Sequence, residues 1–156
     1  MTKDTFHEVI EKVNKIDLGP IIFTLVERDE GEGWSYEKAI KVEKQYRNFL
    51  TLIALYPDLE IVPTKDIDTF WHTHILDTQK YMNDCEKIFG YFVHHFPYFG
   101  LRGKADEEEA NEAFSKTQSL YKEHFGISIF GSARCSSHCK QACGKKKSLS
   151  EIRPTI

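Results

Sequence analysis

The sequence lacks any long run of apolar residues. Across 156 residues, no uninterrupted apolar stretch approaches the ~20 residues that a membrane-spanning helix requires. The N-terminus also lacks the apolar centre of a signal peptide, because residues 1–5 lead directly into an amphipathic pattern. We therefore expect a soluble, cytoplasmic protein that has no membrane partner.

Several sequence signatures of enzymes are also missing. The chain has no glycine-rich phosphate loop, no His-Glu-x-x-His zinc signature and no Gly-x-Ser-x-Gly nucleophile elbow. Cys85 has no neighbouring group that would stabilise a thiolate. The residues therefore do not support nucleophilic catalysis, and whether the protein is an enzyme stays open.

Charge and cysteine are distributed unevenly along the chain. Its 21 basic and 24 acidic residues give a net charge of −3. Residues 131–156 hold six basic residues and one acidic residue, a balance of +5, whereas the first 130 hold 15 and 23, a balance of −8. Three of the four cysteines lie in the same basic stretch. We expect a helical domain over residues 1–130 and a flexible, basic, cysteine-bearing tail over residues 131–156.

Apolar residues recur at helical spacing through most of the first 126 residues. Ser35, Thr64 and Asp106 suit helix N-caps, and Gly90 and Gly126 suit C-terminal stops. No strand pair or internal repeat is evident. The pattern predicts a compact all-α domain of about five helices, near residues 5–16, 20–26, 36–56, 65–89 and 106–125. A strand is the alternative for residues 21–26, because that run is short and contains β-branched residues. An irregular segment rich in aromatic residues and histidine precedes the last helix.

The predicted helix over residues 65–89 carries two histidines on different faces. One stripe faces the core and contains Ile67, Trp71, His74, Thr78, Tyr81, Cys85 and Ile88. His72 points about 160° away from His74, so a regular helix cannot direct both at one ion. Cys85 would lie about 16 Å along the axis from His74, and we interpret it as a buried apolar thiol.

Two sets of residues in the domain are candidates for metal ligation. Asp68 and His72 lie four residues apart, a spacing at which a carboxylate and an imidazole either share a metal or bind each other. His94 or His95 could complete that site, but in extended backbone only one of them can face it. His74 is the other candidate metal ligand. Alternatively, His74 is a core histidine whose ring nitrogens form hydrogen bonds within the protein.

The leading hypothesis is a small metal-binding protein with zinc, iron or copper at this site. Trp71, Tyr81 and Tyr98 are the aromatic residues that we assign to binding. The alternative is a non-catalytic module, in which the histidines are structural and the aromatic segment (residues 91–99) packs or binds a protein or peptide partner.

The C-terminal stretch suggests a second, separate site. Three thiols and an imidazole suit tetrahedral zinc or copper(I), and they belong to Cys135, His138, Cys139 and Cys143. An odd number of cysteines argues against a closed disulfide framework. The alternatives are a solvated appendage with reduced thiols and a carrier whose tail a partner modifies. The three lysines at 145–147 are too few to indicate nucleic-acid binding.

The motif Asp68-x-x-Trp71-His72-x-His74 carries a family resemblance, together with the preceding Ile-Val-Pro-Thr at 61–64 and His-His-Phe-Pro at 94–97. Over roughly residues 35–126 the chain resembles the glycine-rich domain-containing protein-like family, and within it the small bacterial type with a cysteine-bearing tail. Plant members carry long glycine-rich regions and some carry RNA-binding motifs, whereas this chain has nine glycines and neither feature. The resemblance implies a functional centre within residues 68–97 and supplies no reaction.

Overall fold

The computed structural model describes residues 3–129. This range forms six helices and contains no strand, so the predicted all-α class is confirmed. The helices are α1 (Lys3–Lys15), α2 (Gly19–Val26), α3 (Tyr36–Leu55), α4 (Lys65–Leu76), α5 (Thr78–Phe89) and α6 (Lys104–Phe125). None of these six is long and apolar enough to cross a bilayer.

Helix α3 lies at the centre of the domain, and α1, α2, α4 and α6 all pack against it. It begins where predicted, because the Ser35 hydroxyl accepts a hydrogen bond from the Lys38 backbone N–H at 3.1 Å. Its core side chains are Ala39, Val42, Tyr46, Phe49, Leu50 and Leu52. Each large apolar side chain buried in this way contributes about 1.5–3 kcal/mol, so α3 provides the surface on which the other helices assemble.

The single helix predicted over residues 65–89 is wrong, because the chain breaks at Asp77 into α4 and α5. Aspartate has a low helix propensity, and the break allows two buried contacts that a straight helix forbids. Trp71 Nε1 donates to the Tyr81 hydroxyl at 3.0 Å, and His74 Nε2 lies 2.8 Å from Asp84 Oδ2. Residues ten apart on one helix would be separated by about 15 Å along the axis. The predicted 16 Å separation of Cys85 from His74 assumed that straight helix and therefore loses its basis. Thr78, which was predicted to face the core, is exposed.

The ends of α4 and α5 match the predicted signals. The Thr64 hydroxyl accepts from the Ile67 N–H at 3.3 Å at the start of α4. Gly90 ends α5 with φ 75°, a left-handed conformation that glycine adopts without strain. The chain then turns back across α4 and α5, and this return path carries the aromatic segment to the exposed side of α4.

The prediction that Asp106 caps α6 is wrong, because α6 begins at Lys104 after Gly103. The Asp106 carboxylate instead accepts from the backbone N–H groups of Gly100 and Arg102, at 2.7 and 3.1 Å. It also pairs with the Arg102 guanidinium at 2.7 Å. An aspartate in the first turn of a helix can satisfy loop donors that precede the helix, and here it fixes the loop behind the aromatic segment.

Candidate metal centre

Three side-chain atoms converge on one side of α4. They are Asp68 Oδ1, His72 Nε2 and His95 Nε2. His95 Nε2 lies 2.7 Å from Asp68 Oδ1 and 2.9 Å from His72 Nε2, and the third separation, from His72 Nε2 to Asp68 Oδ1, is 3.5 Å. We call these three residues the open cluster. It contains the pair predicted from its four-residue spacing and one of the two histidines predicted to complete it.

The cluster results from one helical turn and one returning segment. Asp68 and His72 are one turn apart on α4, so their side chains lie side by side. Tyr81 anchors the returning segment, because its hydroxyl donates to the Val93 carbonyl at 2.6 Å. Two residues later, the His95 ring packs on Trp71 with 4.3 Å between ring centroids. These contacts direct the His95 imidazole at Asp68.

The open cluster can be held either by hydrogen bonds or by a metal ion. If His95 Nε2 carries a proton, it can donate to Asp68 Oδ1 at 2.7 Å and share that proton with the lone pair of His72 Nε2 at 2.9 Å. If neither Nε2 atom carries a proton, the two nitrogens and the carboxylate oxygen all present lone pairs to one point. That second arrangement is the one a cation requires, because all three atoms then act as electron-pair donors.

The dimensions of the cluster also suit a metal ion. Donor atoms around a tetrahedral ion at about 2.0–2.1 Å lie about 3.3 Å apart. The observed separations of 2.7, 2.9 and 3.5 Å reach that arrangement when the two shorter ones lengthen by about half an ångström. The Asp68 and His95 side chains are 11% and 7% exposed, whereas His72 is 48% exposed. The cluster is therefore held from within the fold and open to solvent at His72.

His74 lies on the other face of α4, as the helical geometry predicted, and forms a closed network. Its Nδ1 lies 2.7 Å from the Tyr46 hydroxyl and its Nε2 lies 2.8 Å from Asp84 Oδ2. Lys80 Nζ reaches the same carboxylate oxygen at 3.0 Å. His74 is 1% exposed, and both its ring nitrogens are directed at protein groups. The structure thus places His74 apart from the open cluster, in the hydrogen-bonded core arrangement.

Burial and hydrogen bonding set the pKa values of the groups in this closed network. Burial acts to raise the pKa of Asp84, but the hydrogen bonds from His74 and Lys80 outweigh it and hold that pKa below its ordinary value. Burial raises the pKa of Tyr46 well above its usual value. Asp84 is therefore ionised and Tyr46 is neutral at physiological pH.

The remaining predicted residues of the domain lie around the cluster without joining it. His94 is exposed and packs against Phe92 at 4.9 Å between ring centroids, so the two adjacent histidines have different surroundings, as expected for extended backbone. Tyr98 is exposed. Cys85 is buried, as predicted, and burial raises its pKa. The four predicted tail ligands, Cys135, His138, Cys139 and Cys143, lie outside the described residues.

Two functional relationships were not predicted from the sequence. Asp84, the partner of His74, was not singled out, although its four-residue spacing from Lys80 indicated a paired carboxylate. The role of Tyr81 in holding Val93 depends on the break at Asp77. No local pattern indicated that hydrogen bond, because it joins a helix to the segment that returns after Gly90.

Comparisons with known proteins agree with the resemblance seen in the sequence. A family model described as UCP032817-like matches residues 11–125. Glycine-rich domain-containing protein 1 of Arabidopsis thaliana is 35% identical over 86 residues, and glycine-rich domain-containing protein 2 of the same plant is 36% identical over 86 residues. Each match covers 53% of this chain, and the chain spans about a tenth of the length of these curated relatives. No solved structure matches the chain.

Proposed function

We propose that this chain, which belongs to the UCP032817-like family, binds one divalent transition-metal ion at Asp68, His72 and His95. The observation that carries the proposal is the convergence of one carboxylate oxygen and two imidazole nitrogens, within 3.5 Å of one another, on a side of α4 that is open to solvent at His72. The names of the curated relatives state neither a ligand nor a reaction, so the proposal depends on the geometry alone.

The donor set restricts the choice of metal. Two imidazoles and one carboxylate are the ligands of non-haem iron(II) sites and also suit zinc. The absence of a thiolate from the open cluster makes copper(I) the least suitable of the metals considered. We therefore propose zinc or iron(II) as the ion held by the body of the protein.

Three protein ligands leave at least one coordination position for water or a substrate. An ion bound in this way supplies a Lewis acid and a water molecule of lowered pKa. The protein side chains contribute charge, ligand orientation and solvent access. Asp68 supplies negative charge, Trp71 fixes the His95 ring, and the exposed side of His72 admits solvent. The site thus has the composition of a hydrolytic or oxygen-using centre, with no reaction assigned.

Metal titration of the full chain tests the proposal. We would substitute serine for Cys135, Cys139 and Cys143, so that only the body site remains, and titrate with zinc and, without oxygen, with iron(II). We expect one ion per chain, at least a hundredfold weaker binding in His95→Ala, and unchanged binding in His94→Ala. His94→Ala is the matched control, because His94 is adjacent to His95 in the sequence but is exposed and lies outside the cluster. Absence of binding, or equal binding by His95→Ala, would contradict the proposal.

The tail thiols are proposed as a second metal site. The supporting observation is compositional, namely three cysteines at four-residue spacing beside one histidine. The same titration measures it, because the chain with its native cysteines should bind one more zinc ion than the triple serine variant. Equal stoichiometry in the two chains would contradict a tail site.

An interaction module is the second candidate function. Four side chains of the aromatic segment are exposed, Tyr91, Phe92, Phe96 and Tyr98, and such a patch is typical of a surface that binds a partner. Under this alternative both α4 histidines would be buried and bonded to protein groups. His74 is buried and bonded to protein groups, as this alternative requires, but His72 is half-exposed and belongs to the open cluster. The metal-binding proposal therefore has the stronger support.

A further inference from the structure

A cavity of about 180 Å³ lies next to the open cluster. Its interior is lined by buried or largely apolar groups, including Val62, Pro63, Trp71 and Ala110. The ring of His95 forms part of the same wall. One residue of the cluster therefore faces both the proposed metal and the cavity.

We infer that this cavity binds a small, uncharged, single-ring aromatic molecule that carries a hydroxyl group. Phenol is the simplest compound of that class. The presence of a binding site depends on the cavity alone, whereas its role as the substrate site beside a metal depends on the function proposed above.

The size of the cavity supports one ring. An apolar cavity of about 150 Å³ accommodates a benzene molecule, so 180 Å³ accommodates a ring with one small substituent. The cavity walls include the aromatic side chains of Trp71, Phe96 and Phe99. Aromatic walls favour a flat aromatic guest, since rings attract one another in offset or edge-to-face contact.

The polar groups of the cavity lining define the rest of the ligand. Besides His95, the polar side chains of the lining are Glu60, His94 and Asn111, and all three are exposed. Val62, Pro63, Trp71 and Ala110 are buried. A hydroxyl near Glu60 or Asn111 would have a hydrogen-bond acceptor available, while the ring occupies the apolar interior. The Glu60 carboxylate opposes a second negative charge, as does the −8 balance of the first 130 residues. An uncharged phenol therefore fits better than a benzoate.

His95 links this site to the metal centre. Its ring packs on Trp71 with 4.3 Å between centroids, and both rings line the cavity. A ring bound against them restrains His95 in the orientation in which Nε2 faces Asp68. Zinc bound at the cluster restrains the same imidazole from its other side. Each ligand should therefore strengthen the binding of the other by the same factor.

Calorimetric titration of the full chain with phenol tests the inference, on metal-free and zinc-saturated protein. We expect saturable one-to-one binding with a Kd of about 1 mM or tighter, and binding of benzoate at least tenfold weaker. Ala110→Leu fills the cavity and should weaken phenol binding at least tenfold. Ala105→Leu introduces the same side chain at an exposed position of α6 and should leave the Kd unchanged.

A second measurement avoids any dependence on the folding of the variant. Nuclear Overhauser contacts between the phenol ring protons and the Trp71 indole, in the unsubstituted protein, would place the ring in the cavity. Absence of saturable binding, contacts elsewhere, or equal binding by Ala110→Leu that melts like the wild type would overturn the inference.

The experiments distinguish failure of the cavity inference from failure of the metal-site proposal. Zinc binding without phenol binding would overturn the cavity inference and leave the metal site intact. Phenol binding to a chain that binds no zinc would uphold the cavity and overturn the metal site. Equal phenol affinity in metal-free and zinc-saturated protein would overturn the link through His95.

Discussion

The two histidines of helix α4 form different arrangements on opposite faces, and the arrangements differ in solvent access and in how their ligand atoms converge. On the buried face, His74 lies between Tyr46 and Asp84, and each ring nitrogen has one protein partner. On the other face, the open cluster brings three ligand atoms together, and its His72 is 48% exposed. The buried network leaves no room for solvent at His74, whereas the open cluster directs three potential metal ligands at one accessible point.

The difference shows why the residue types alone do not identify a site. Both arrangements contain a histidine and an aspartate at short distance, and His74 is the more deeply buried. A buried pair that is fully hydrogen-bonded stabilises the fold only modestly relative to an apolar pair, but losing one partner is costly. Convergence of donor atoms together with solvent access at His72 indicates function, and complete pairing indicates structure.

Removing the histidine from each face should give the largest contrast. His74→Ala leaves Asp84 with only Lys80 and deprives Tyr46 of its partner, so we expect the free energy of unfolding to fall by about 3–5 kcal/mol. His72→Ala, on the exposed face, should cost less than about 1 kcal/mol. Urea denaturation of metal-free protein measures both. Similar losses in the two variants would contradict the division into a structural and a functional face.

Zinc should stabilise the protein only through the open cluster. At a free zinc concentration a hundred times the Kd, we expect the free energy of unfolding to rise by about 2.7 kcal/mol. The triple serine variant of the tail isolates this effect. His72→Ala in that background should lose most of the gain, whereas His94→Ala should keep it. Differential scanning calorimetry with and without zinc provides the measurement, and an equal gain in His72→Ala would contradict the assignment.

Tyr81 connects the two faces, so its hydroxyl should affect both stability and metal affinity. Tyr81→Phe removes the acceptor of Trp71 Nε1–H and the donor to the Val93 carbonyl. We expect a loss of about 2 kcal/mol in the free energy of unfolding and a severalfold weaker zinc affinity, since Val93 precedes His95 by two residues.

Tyr36→Phe is the matched control, because Tyr36 is exposed and its substitution should change neither quantity. Loss of stability in Tyr81→Phe with unchanged zinc affinity would show that Tyr81 does not position His95.

The smallest expected effect is on the pH dependence of stability. The pKa of Asp84 is lowered in the folded protein, because the hydrogen bonds from His74 and Lys80 outweigh the opposing effect of burial. A lowered carboxyl pKa contributes stability that is present above the unfolded value, about pH 4, and that disappears as the pH falls through the folded value. Asp84→Asn should therefore lose less stability than the wild type on acidification from pH 5 to pH 2. Parallel losses in urea titrations of the two proteins would contradict this account.

The local features of the fold were predictable, and the long-range ones were not. Ser35, Thr64 and Gly90 act where their residue types predict, since capping depends on neighbouring backbone atoms. The opposite faces of His72 and His74 follow from helix periodicity. The break at Asp77 was missed because the contacts it allows, Trp71 with Tyr81 and His74 with Asp84, are tertiary.

The open cluster was partly predictable for the same reason. Asp68 and His72 share one helical turn, so their proximity follows from spacing. The selection of His95 instead of His94 depends on the register with which the returning segment crosses Trp71. That register is set by the hydrogen bond between Tyr81 and Val93, which no local pattern indicates.

The most direct test of the central claim is a crystal structure of the zinc-loaded protein with anomalous diffraction measured at the zinc edge. The account predicts one strong anomalous peak in the domain, about 2.0–2.2 Å from Asp68 Oδ1, His72 Nε2 and His95 Nε2, and no peak beside His74. A domain without a zinc peak at the cluster, in which Asp68, His72 and His95 contact only protein and water, would contradict it.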